Sequence, residues 1–189
     1  MPPLIISSRK KIDNETQRIR YFNEFKHYYS KTGFMNQEIM MFWITNCLVP
    51  YIEKRRQKLG NSLAPCILIM DNMSAHITND VMDAFNNIPN FKLIFLPPHS
   101  SHFLQPSDVC YFGIFKKKYK EKRISNPSDS FENKLGNIFW ALYYASNNQT
   151  IFESFSKVGI IIDFSVAKKV SSILDQEKVK MLISQGIDD

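Results

Sequence analysis

Two aspartates stand where the chain could do metal chemistry. Asp71 follows directly on Cys66-Ile67-Leu68-Ile69-Met70, a continuous apolar run that predicts a strand buried on both faces. The carboxyl end of such a strand is where open α/β sheets bind their ligands. A carboxylate there must be solvated, paired or metal-bound. Equally, Asp71 and Asn72 can simply bond local backbone and cap the turn into the next helix. Asp108 stands just ahead of a basic helix, where its charge also suits the positive end of the dipole. Two aspartates at the ends of successive elements can converge at one sheet edge. Hard oxygen ligands with open positions suit Mg²⁺ or Mn²⁺. His99, His102 and Cys110 offer a zinc alternative, but their spacing matches no common ligand set.

A second feature is electrostatic. The net charge of +6 is uneven: residues 1–123 hold 18 Lys and Arg against 10 Asp and Glu, and residues 124–189 hold 6 against 8. The densest run is Lys116, Lys117, Lys118, Lys120, Lys122 and Arg123. Such a cluster either anchors a polyanion in a salt-dependent way or is a solvated helix face that keeps the chain soluble.

The elements that must position these residues alternate. Leu4-Ile5-Ile6 predicts the end of a strand, and Asn36 to Leu59 predicts a helix capped by Asn36 and closed by Gly60, with a kink or break at Pro50. After the 66–70 strand, Thr78 opens a helix, with Ile77 placed to staple against Met82, and Asn86-Asn87 and Pro89 stop it. Phe91 to Leu96 predicts a second strand, and a basic helix runs from about Asp108 to Arg123. Ile124 to Asp129 predicts a linker; Phe131–Asn147 and Ser165–Ser184 predict helices, with a short segment Ile151–Val158 between them. This order predicts an α/β layer architecture.

Composition excludes whole classes. With 189 residues, 44% of them hydrophobic, and 15 Phe and 8 Tyr, the chain can build a core and is not wholly disordered. The longest uncharged apolar run, Ile39 to Pro50, is shorter than the roughly 20 residues of a membrane span, so no membrane is expected. No secretory signal pattern is present at the start, and three widely spaced cysteines favour a reduced compartment.

Leu68-Ile69-Met70-Asp71-Asn72-Met73-Ser74-Ala75-His76 resembles the second-aspartate motif of DDE superfamily transposases of the pogo/Tigger/jerky branch. Leu96-Pro97-Pro98-His99-Ser100-Ser101-His102-Phe103-Leu104-Gln105-Pro106-Ser107-Asp108 resembles the third-acid motif of that branch, and the 36 residues between the two aspartates suit it. Gly113-Ile114-Phe115-Lys116, Phe155-Ser156-Lys157-Val158-Gly159-Ile160, Pro2-Pro3-Leu4-Ile5-Ile6 and Thr32-Gly33-Phe34-Met35 add weaker matches, so that the resemblance spans roughly 1–165.

The resemblance implies a ribonuclease H-like α/β fold that cuts and joins DNA with two metal ions held by three carboxylates. Asp71 and Asp108 would be the second and third ligands, holding Mg²⁺ or Mn²⁺. His76, His99 and His102 would contact phosphate or orient ligands, and the 116–123 helix would meet DNA. Residues 1–124 would form a partial catalytic core and 125–189 a mostly helical segment. A DNA substrate implies nuclear residence.

The family's first aspartate lies upstream of the segment that Pro2–Ile6 resembles. Asp13 is no substitute, because Lys10, Lys11, Gln17 and Arg18 leave no buried strand to place it. The expectation is therefore an incomplete fold with its first strands missing, weak metal binding and no cleavage by the chain alone. The absent strand would expose a hydrophobic edge beside Cys66–Met70, to be covered by a partner chain or a missing segment. The alternatives are the C-terminal part of an active transposase, or a domesticated protein-interaction module.

Overall fold

Asn36 does what its position predicts: its Oδ1 accepts a hydrogen bond from the Ile39 amide at 2.9 Å and opens helix α1, Gln37–Trp43. In the computed structural model, which describes residues 1–8, 25–73, 77–127 and 130–160, α1 does not break at Pro50. It widens into a π-helical turn, Ile44–Leu48, and continues as α2, Val49–Lys58. Pro50 cannot donate to the turn before it, and one wide turn absorbs that loss without a chain break. The Val49 amide accordingly reaches back five residues to the Ile44 carbonyl. The wide turn also keeps one side on the core. Met40, Ile44, Leu48 and Ile52 are all buried, although residues four apart drift about 40° per step in a regular α-helix. Gly60, with φ +62°, ends α2 in a Schellman arrangement: its amide bonds the Gln57 carbonyl, and the Asn61 amide bonds Arg56.

Strand β1, Leu4–Ser7, pairs in parallel with β2, Lys26–Tyr29, and β3, Cys66–Met70, pairs in parallel with β4, Phe91–Phe95. Helix α3, Asn79–Asn86, connects β3 to β4. The fold is mixed α/β with two small parallel sheets. Val81, Phe85 and Ile88 join the α1–α2 stripe in one apolar cluster, against which Leu68, Leu93 and Phe95 pack. Phe85 stacks on Phe91 at 5.7 Å. β3 departs from its expected burial on both faces: Ile67 is 60% exposed, because among the described residues β3 and β4 form a two-stranded sheet that packs on one side only.

Within this first unit, Met1–Phe95, a buried cation holds two turns in place. Arg56, 7% exposed, donates from Nε to the Ala64 carbonyl at 3.0 Å and from Nη2 to the Pro89 carbonyl at 2.5 Å. These carbonyls lie just ahead of β3 and β4. Asn90, at φ +47°, completes the clasp by donating from Nδ2 to the Leu63 carbonyl at 2.8 Å.

β1 and β2 are joined by side chains too, since His27 Nε2 and Ser7 Oγ lie 2.7 Å apart. Burial holds the His27 imidazole below its ordinary value. The unfolded chain therefore takes up a proton at higher pH than the folded one, and stability falls as pH drops below about 6.5. Urea midpoints measured at pH 7.5 and pH 5.5 should show this loss, and His27→Gln should flatten the difference.

The second unit begins at Leu96. A short helix α4, Ser101–Leu104, is followed by a π-helical turn, Ser107–Tyr111, and then by α5, Phe112–Ser125. Helix α6, Phe131–Ala145, is capped by Ser130, and α7, Asn148–Lys157, is capped by Asn147. α5 and α6 pack as an antiparallel hairpin, aligned by Asn126–Asn133, by Lys122 over Trp140 and by Tyr111–Ser146. Of the linker expected over Ile124–Asp129, Ile124 and Ser125 instead form the end of α5, and residues 128 and 129 lie outside the described residues. The segment around Ile151–Val158 is a full helix packed on the π-helical turn, where Lys157 Nζ reaches Cys110 Sγ at 3.5 Å. Asp13 and the Ser165–Ser184 helix lie outside the described residues.

Candidate metal site and nucleic-acid interface

Asp71 is the first residue past β3 and is half-buried. It sits at the carboxyl end of a parallel strand, as its sequence context predicts. Asp71 belongs to the first unit and Asp108 to the second. His76 lies outside the described residues.

Around Asp108 the chain builds a local site. Pro97 to Ser100 form a tight turn, closed by a bond from the Ser100 amide to the Pro97 carbonyl at 3.2 Å. Pro98 occupies its second position and His99, at φ +61°, its third, which are the requirements of a type II turn. Ser100 is fully buried; its hydroxyl donates to the Pro97 carbonyl at 2.7 Å, and its own carbonyl accepts from the Phe103 and Leu104 amides. The turn therefore sets His99 and α4 together. His99, Ser101, His102 and Asp108 line one open cavity of about 400 Å³. The left-handed conformation at His99 can be tested: His99→Gly should leave stability equal or up to about 1 kcal/mol higher, whereas His99→Val should lower it by about 1–2 kcal/mol. Thermal melts of the two variants, compared with the wild type, provide the measurement.

The donor chemistry suits a hard divalent ion, since Asp71 and Asp108 each present carboxylate oxygens at an element terminus. Among the described residues, however, no group of three or more His, Cys, Asp or Glu is placed to hold a metal ion. The zinc set of His99, His102 and Cys110 is not assembled either: Cys110 is buried against Lys157 and does not line the cavity.

α5 starts one residue beyond the π-helical turn that carries Asp108, and it sorts the six cations. Lys116, Lys117, Lys120 and Arg123 are exposed. Lys116, Lys120 and Arg123 are spaced four and three apart, so they share one face. Lys118 is paired with Glu121 at 3.0 Å, and Lys122 lies 5.6 Å from the Trp140 ring centroid. Ser100 and Trp140 are contributors that the motif reading passed over. A serine following two prolines and a histidine gives a turn signal, but nothing local marks Trp140 as the partner of Lys122.

A mixed α/β chain with carboxylates at a parallel strand end and ahead of a basic helix falls among the architectures that handle polyanionic substrates. A family model of DDE superfamily endonucleases matches residues 1–152, and the chain belongs to that family. Its members bind DNA and are generally dependent on divalent metals. No curated protein and no solved structure matches the chain. Among the described residues no helix is long and apolar enough to cross a membrane.

Proposed function

We propose that the chain is the DNA-binding part of a ribonuclease H-like DDE transposase core of the pogo/Tigger/jerky branch, and that it does not cut DNA by itself. The observation that carries this reading is the exposed stripe Lys116, Lys120 and Arg123, on the helix that follows the Asp108 turn in the chain. A duplex laid along α5 would place phosphates against these cations and a phosphodiester near His99, His102 and Asp108. Asp71 and Asp108 are the two carboxylates that the motifs supply for metal. Mg²⁺ or Mn²⁺, when bound by such carboxylates, would stabilise the charge that develops on a phosphodiester oxygen. His99 and His102 act as cavity-wall donors to phosphate oxygens. Acting on DNA, the protein would reside in the nucleus.

The test is binding of a fluorescent duplex by the purified chain, followed by incubation of supercoiled plasmid with Mg²⁺ or Mn²⁺. Salt-sensitive binding without nicking is expected. Nicking that disappears in Asp71→Asn and Asp108→Asn would show an active nuclease instead. An affinity that does not fall with rising salt would remove the DNA-binding reading and favour a protein-interaction module.

A further inference from the structure

The second unit carries an aromatic ridge that the basic stripe does not use. On α6, Tyr143 and Tyr144 stand three and four positions beyond Trp140, so each neighbours it on one side of the helix. Tyr144 packs on Trp140 with ring centroids 4.5 Å apart, and Tyr143 meets Tyr144 edge-on at 5.3 Å and 84°. These rings are not core: Tyr143 is 78% and Tyr144 48% exposed. One turn before Trp140, Gly136 leaves the helix surface open, since a Cβ there would meet nothing within 4 Å. Rings this exposed bury little area and add little to the fold. Exposed aromatics in a row are costly to keep in water unless something covers them.

The hairpin supplies the chemistry of the occupant. Lys122 lies over Trp140, and α5 carries six cations against the single carboxylate of Glu121 along the length of α6. A hairpin that sets exposed rings on one helix against a cationic neighbouring helix matches a strand of unpaired nucleotides, whose bases stack while its phosphates meet the ammonium groups. A duplex cannot use the rings, because its base faces are already stacked on one another.

We infer that the α5–α6 hairpin is a binding platform for single-stranded DNA, with bases stacked on Tyr143 and Tyr144 and phosphates held by Lys122 and its neighbours on α5. The choice of DNA rests on the DNA-binding reading above; the preference for unpaired bases does not. Tyr143 and Tyr144 carry the exposed ring surface of the platform, since Lys122 already covers one face of Trp140.

The probe is a labelled 20-nucleotide oligo(dT), followed by fluorescence anisotropy alongside a duplex of equal length. Tyr143→Ala/Tyr144→Ala changes only exposed side chains, and circular dichroism should confirm that the variant folds. It should weaken oligo(dT) binding about fivefold or more per ring and leave duplex affinity within twofold. In a Trp43→Phe background, oligo(dT) should also quench Trp140 fluorescence. Unchanged oligo(dT) affinity in the double variant, or no oligo(dT) binding by the wild type, overturns the platform. A tenfold preference for oligo(U) overturns its assignment to DNA. Failure of duplex binding with oligo(dT) binding intact would sink the duplex reading alone.

Discussion

Arg56→Leu should destabilise the first unit by about 2–4 kcal/mol, the largest loss expected from any single change outside the apolar cluster. Two effects oppose each other. Removing a guanidinium that is only 7% exposed relieves the cost of keeping a charge out of water. Against that, the Ala64 and Pro89 carbonyls lose their charged donor, and each buried acceptor left without a partner costs about 1–3 kcal/mol. The orphaned acceptors win because the Ala64 and Pro89 carbonyls already satisfy the guanidinium, so its removal relieves little while stranding both of them. Its whole role is to tie α2 to the turns before β3 and β4. Arg56→Lys keeps a charge but offers one compact donor group where the guanidinium forks to two turns, so it should fall between wild type and leucine. Urea unfolding followed by Trp43 fluorescence in a Trp140→Phe background reads the first unit alone. A loss below about 1 kcal/mol for Arg56→Leu would show that the clasp is incidental.

Arg56 also shows where sequence reading stops. In a row with Lys54, Arg55 and Lys58, it reads as one more cation suited to the negative end of α2. Its burial depends on carbonyls 8 and 33 residues away, and no local pattern encodes that pairing. β2 escaped for a related reason: Lys26-His27-Tyr28-Tyr29 has no apolar alternation and is a strand because β1 pairs with it. By contrast, the start of α1 and the ends of α2 and α3 were legible, because Asn36, Gly60 and Asn87 act through bonds to neighbours within a few residues. The same locality explains the site. His99, His102 and Asp108 span ten positions, and one proline turn and one helical turn bring them to a single cavity. Asp71 was legible as a strand terminus. Pro50 predicts a kink or break because its missing donor is a local fact, whereas the π-helical turn that accommodates it is held by packing along the Met40–Ile52 stripe. The sorting of the six cations is half legible. Helical spacing sets Lys116, Lys120 and Arg123 together, but the engagement of Lys122 with Trp140 appears only when the hairpin closes.

That sorting leads to the second large effect, a change in the salt dependence of duplex binding. Four exposed cations on α5, if each meets one phosphate, give a slope of log affinity against log salt of about −3.6. Between 50 and 200 mM salt such a slope costs wild type roughly 150-fold in affinity. Lys116→Gln/Lys120→Gln/Arg123→Gln removes three contacts without adding repulsion, and the slope should drop to about −0.9. Over the same range the variant should lose only about threefold to fourfold. Lys118→Gln/Glu121→Gln is the control, because it removes a cation and the carboxylate it pairs with at 3.0 Å, leaving the helix charge unchanged. Its slope should match wild type. Composition alone would predict that any lysine of the run matters equally, and only the exposed face separates the two outcomes. If the control lowers the slope by about 0.9, phosphate recruits Lys118 away from Glu121 and the whole helix circumference is the interface. If neither moves it, the cations of α5 do not touch DNA, and the positive charge serves solubility instead.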